Sequence, residues 1–172
     1  MSSDSEYVSL EDAKKEVQVA LTRLALLHLS FSKTIIEELG RERGENLIIK
    51  SIKEYGRRII DSVKKGGQDL PRWGVYSKLI ENEDGKLTAY GCTLAKIFRD
   101  QNELEFGRFY CYVDAAKSMA SNPKEKFIHL TCATCGDDHC SFDVLPTTEE
   151  ERMAYENNDI TRWKFVDPTL RK

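Results

Sequence analysis

Residues able to do chemistry crowd into His129-Leu130-Thr131-Cys132-Ala133-Thr134-Cys135-Gly136-Asp137-Asp138-His139-Cys140, which holds three cysteines and two histidines within twelve residues. Thiolates and imidazoles are the usual donors to Zn²⁺. If strands flank the Gly136-Asp137-Asp138 turn, Cys132 and Cys140 come near each other, and sulfurs about 3.5–4 Å apart suit a tetrahedral ion. Alternatively, Cys132-x-x-Cys135 clamps the metal with Cys140 or His139 as third ligand. A redox pair is a further reading, but this CxxC does not open a helix after a strand as a thioredoxin-like motif should. The plain alternative is a hairpin turn flanked by incidental cysteines. No second paired-cysteine half follows, so the segment alone does not complete a structural site.

A second constellation is Phe109-Tyr110-Cys111-Tyr112-Val113-Asp114. On a helix Cys111 and Asp114 share a face, and Gly107, one turn earlier, is expected to leave space above the thiol. Phe109, Val113 and Ala116 form the adjacent apolar stripe, so the competing reading makes Cys111 a small core filler and Asp114 a solvated or hydrogen-bonded acid. His28 lies on an apolar helix face and reads as a satisfied core histidine. Cys92 reads as a core residue in a strand. Tyr110 and Tyr112 read as packing or cavity-lining residues, Trp73 and Trp163 carry no reading, and Arg57, Arg58, Lys64 and Lys65 form a solvated face.

These residues need elements to position them. Ser9 with Asp12 resembles a capping pair, and Val17, Leu21, Leu24, His28, Phe31, Ile35 and Leu39 recur at helical spacing. After Gly40 and Gly44 a second helix carries Ile48, Ile52, Tyr55, Ile59 and Val63, ending at Gly66-Gly67. Val75–Ile80 and Leu87–Phe98 read as strands around an Asp84-Gly85 turn. Asn102 with Glu105 reads as a capping box for a third helix that Asn122-Pro123 stops, and Phe127–Cys132 and Cys140–Leu145 read as two more strands. Thr147 with Glu150 caps a short helix before an irregular tail. The expectation is an α+β domain over residues 1–172: two N-terminal helices packed with an antiparallel sheet and a third helix. Residues 1–8 are expected to be disordered, and 147–172 a C-terminal extension.

At 172 residues and net charge −3, the chain suits one domain with a real core and no basic face for phosphates, so no nucleic-acid partner is expected. No stretch reads as the ~18–20 apolar residues of a membrane span, and the polar, acidic start is not a signal peptide. Five cysteines, an odd and clustered set, point to reduced thiols in the cytoplasm rather than a disulfide framework.

From the third helix onward the chain resembles the L-2-amino-thiazoline-4-carboxylic acid hydrolase-like family, through Cys111-x-x-Asp114, Asn122-Pro123 and Gly136-Asp137-Asp138-His139-Cys140-Ser141-Phe142. This implies a small hydrolase that opens a five-membered heterocycle at an amidine-like carbon. A more distant resemblance, to 4-vinyl reductase-like domains that bind small hydrophobic ligands, rests on His129-x-x-Cys132-x₇-Cys140. Those domains can hold zinc through an acid-x-x-Cys-x₇-Cys pattern and an upstream cysteine, here Cys111, with His129 standing where the acid would. A regular strand would send His129 and Cys132 to opposite faces, so sharing an ion requires a bulge or turn between them.

Two mechanisms follow. Either the Cys111 thiolate attacks the ring carbon, His129 or His139 moves protons and Asp114 binds the amidinium or orients the histidine, or zinc on Cys111, Cys132 and Cys140 leaves a fourth position open for water, with Asp114 or Asp137 as base. His129 as a fourth protein ligand would close the site and make it structural. The non-catalytic alternative is a zinc-stapled small-ligand-binding or sensor module, and a third reading is a structural subunit that uses the fold to form a homodimer.

Overall fold

The computed structural model describes residues 8–66 and 75–171. Helix α1 spans Leu10–Leu39, with the Ser9 side chain accepting the Asp12 N–H at 3.1 Å, and α2 spans Arg41–Lys64 after a single-residue join at Gly40. The two pack against each other, so the expected helix pair is present. An 18-residue window of α1 has the hydropathy (mean 1.3) and low charge of a membrane span, contrary to the expectation. In this fold its Ala25, His28, Leu29 and Ser32 are buried against the protein.

Strands β1 (Lys78–Glu81) and β2 (Leu87–Tyr90) form the expected hairpin through Asp84-Gly85. The predicted strand to Phe98 ends early. The chain turns at Gly91-Cys92 into α3 (Thr93–Asp100), because Leu94, Ala95 and Phe98 recur at helical rather than alternate spacing and are all buried. Cys92 therefore precedes a helix and is not a strand residue.

The third helix is also assembled differently. Asn102 adopts φ 58° and makes no cap; short α4 (Leu104–Gly107) and a 3₁₀ turn (Arg108–Cys111) lead into α5 (Tyr112–Ser121). Gly107 does not clear space above the Cys111 thiol. A Cβ there would meet the Phe98 ring at 2.2 Å, so the missing side chain is what lets α3 close onto α4.

Strands β3 (Glu125–Thr131) and β4 (His139–Pro146) complete an antiparallel sheet of order β1-β2-β4-β3. The β3–β4 register shifts between His129 and Thr131, which is the irregularity that His129-x-x-Cys132 demanded. Thr148 and Glu151, one residue later than predicted, form the capping box of α6 (Glu149–Glu156). The tail is not irregular: α7 (Ile160–Trp163) and a 3₁₀ turn (Pro168–Arg171) follow, and Trp163, Val166 and Leu170 are at most 1% exposed. Each such burial removes roughly 1.5–3 kcal/mol worth of apolar surface from water, so this segment is part of the core that holds α2, α5 and the sheet together. The expectations for Met1–Tyr7, Gly67 and Trp73 lie outside the described residues.

Candidate functional site

The end of β3 is fixed from three directions. Asp167, 1% exposed, accepts the His129 backbone N–H at 2.9 Å and the His129 Nδ1–H at 2.7 Å through one carboxylate oxygen, and the Thr169 N–H at 3.1 Å through the other. The Thr169 hydroxyl donates to the His129 carbonyl at 2.7 Å. Beyond the bulge, Asp137 accepts the Cys132 N–H at 2.7 Å, and Gly136, at φ 104°, closes the loop in a conformation that side chains resist. Asp137 therefore holds the loop backbone and is not placed as a base.

With Nδ1 committed to Asp167, the other ring nitrogen of His129 faces the Asp114 carboxylate at 3.7 Å and the two sulfurs of Cys111 and Cys132. Donor atoms of Cys111, His129 and Cys132 all lie within 4.8 Å of one another, a group that could hold a metal ion. Cys111 and Cys132 sulfurs are 4.0 Å apart, and the Thr134 hydroxyl lies 3.3 and 3.0 Å from them. Cys140, expected as a further ligand, is outside this set; its sulfur accepts the Ala133 N–H at 3.3 Å. His139, the other expected proton carrier, stacks on Tyr90 across the sheet, 5.2 Å between ring centres. Cys135 reaches toward the Thr169 carbonyl at 3.5 Å.

The electrostatics are those of a tight cluster. The Cys111 sulfur beside it, with Cys135 and Cys140 nearby, holds the Cys132 thiol below the ordinary thiol range. The same contact, with burial, pushes Cys111 up. Burial opposes a charge on His129, yet the hydrogen bond to Asp167 and the charges of Cys132 and Asp114 lift it to about 9. Burial raises Asp114, with the His129 charge working against it. These directions favour negative charge on Cys132 over Cys111, beside a His129 that holds its proton more firmly than a free imidazole. That ordering disfavours Cys111 as a free nucleophile, since attack needs the thiolate.

Cys111, Asp114, His129 and Cys140 line one end of a cavity of about 500 Å³. Leu21 and Leu24 of α1, Ile59 of α2, and Leu79 and Leu87 of the hairpin supply apolar walls. Tyr110 lines it too, whereas Tyr112 is wholly buried and donates to the Lys164 carbonyl at 2.7 Å. His28, as expected, sits in the core with its ring Nε2 3.0 Å from the Phe106 carbonyl.

Asp167 was not singled out from the sequence. Its signal was the spacing of Ile160, Trp163, Val166 and Leu170, which marks a buried segment; an acid inside such a segment must have a partner. Compared with models of known protein families, with curated proteins and with solved structures, the chain matches none.

Proposed function

We propose that the chain is a small-molecule hydrolase in which Cys111, His129 and Cys132 hold zinc at the base of the cavity. The observation that carries this reading is His129, turned by a buried carboxylate so that its other ring nitrogen meets two cysteine sulfurs beside an open chamber. The donor set fits: sulfur and imidazole suit zinc, and a carboxylate on the far nitrogen of a ligating histidine is its common support. Three protein donors are the number found in catalytic zinc sites, four in structural ones. When bound there, zinc supplies Lewis-acid polarisation of the substrate and acidification of water. Asp167 holds the imidazole's tautomer and orientation, Thr134 hydrogen-bonds the sulfurs, and Asp114, raised by burial, accepts a proton or binds an amidine N–H. An amino-thiazoline-like heterocycle opened by water is the substrate that the family resemblance implies.

The test combines elemental mass spectrometry of protein purified without a histidine tag with turnover of 2-amino-thiazoline-4-carboxylate. Stoichiometric zinc and ring opening, both lost in Cys111→Ser, are expected; zinc-free, inactive wild-type protein sinks the proposal. The apolar cavity walls favour a second reading, a zinc-stapled ligand-binding module, for which zinc and ligand binding occur without turnover.

A further inference from the structure

We infer that the cavity takes a monoanionic amphipathic ligand whose carboxylate pairs with Lys117 while its apolar body lies between α1, α2 and the β1–β2 hairpin. The inference rests on the reading of this cavity as the substrate site. At about 500 Å³ the chamber falls in the roughly 300–1,000 Å³ range that encloses drug-sized ligands, far more than a bare five-membered ring needs.

Its walls are apolar on the α1, α2 and hairpin sides, and α5 lays a polar edge along the remaining one. Asp114 and Lys117, three apart on α5, share a helix face. Lys117 is the only lysine or arginine among the described lining residues, is half-buried, and makes no hydrogen bond or ion pair among the described residues. Asp114 senses its charge without touching it in an ion pair. A lysine at the polar edge of an otherwise apolar chamber, with no ion-pair partner among the described residues, can meet a ligand's anion with a charge-assisted hydrogen bond.

The position sets the ligand's dimensions. At 1.5 Å per residue, Lys117 stands ~4.5 Å along α5 from Asp114 and ~9 Å from Cys111. A carboxylate on Lys117 therefore leaves the rest of the molecule free to run to the cysteine–histidine end. Asp114 inside and Glu125, exposed at the mouth, repel further negative charge, which disfavours phosphate esters and selects a single carboxylate.

Isothermal titration of wild type, Lys117→Met and Lys117→Arg decides it, with decanoate and 2-naphthoate as acids and decan-1-ol and 2-naphthol as neutral partners. Wild type should bind at least one acid about tenfold or more tightly than its neutral partner, as a charged hydrogen bond supplies. Lys117→Met should erase that preference and leave the neutral affinity unchanged, while Lys117→Arg retains it. The proposal is overturned if none of the four compounds binds, if the acids gain nothing over their partners, or if the preference survives Lys117→Met because the ammonium reaches solvent. It is equally overturned if the preference follows zinc loading and not residue 117. A Lys117-dependent preference in protein that holds no zinc and opens no heterocycle would refute the hydrolase reading alone.

Discussion

His28 and His129 are both buried, 8% and 2% exposed, yet their basicities are displaced in opposite directions. At His28, in the layer between α1 and α3–α4, burial lowers the pKa and the hydrogen bond to the Phe106 carbonyl only partly offsets it. At His129 burial acts in the same sense, but Asp167, Cys132 and Asp114 surround the ring with negative charge and raise it to about 9. Burial alone therefore does not identify a functional histidine. What distinguishes the sheet end from the helical layer is the density of ionisable neighbours around an equally hidden ring.

That contrast predicts a graded set of effects. The largest belongs to Cys132→Ser, which removes the central sulfur: zinc binding and turnover should both fall below detection, by elemental analysis and steady-state rates, in a chain that still folds. Retained stoichiometric zinc would transfer the ligand role to Cys135 or Cys140. Asp167→Asn comes next. It keeps the shape but weakens the hold on Nδ1, and zinc affinity should drop about 10–100-fold in a chelator competition. Unchanged affinity would make Asp167 a fold residue only.

The pH response is third. The His129 nitrogen facing the sulfurs and the Cys111 thiol must both lose protons to ligate, so apparent zinc affinity should rise with pH, most steeply below about 9 where His129 still carries its proton. The expected slope is up to about tenfold per pH unit for each proton released, and a slope of one proton or fewer between pH 6 and 8 would contradict a protonated His129. The smallest effect is His28→Met, which leaves the Phe106 carbonyl without its partner. A loss of about 1–3 kcal/mol in a denaturant titration is expected, with zinc affinity untouched. A change in zinc binding would mean that the two histidines are coupled through Tyr110, whose ring touches His28 and also lines the cavity.

The Thr147–Glu150 and Asn102–Glu105 capping patterns show how local signals fail. Both obey the capping rule, but the real box is Thr148–Glu151, and at Asn102 the chain turns left-handed where Phe98 closes against Gly107. Leu87–Phe98 failed for a related reason. A short apolar run reads the same in a strand as in a buried helix until its neighbours are placed.

The sequence by itself determined the helix pair, the antiparallel sheet, the crowding of ligand-type side chains after Phe127 and the need for a break between His129 and Cys132. These follow from periodicity, turn chemistry and alternation, all local properties of the backbone. Only the tertiary structure decided which donors meet: Cys111 arrives from another element, Cys140 falls outside the donor set, His139 turns onto Tyr90, and Asp167 reaches His129 from 38 residues away. Spacing along the chain restricts a side chain to a face. Convergence on one point depends on how the buried C-terminal segment and α5 pack against the sheet, and that packing is set by side-chain volumes summed over the whole core.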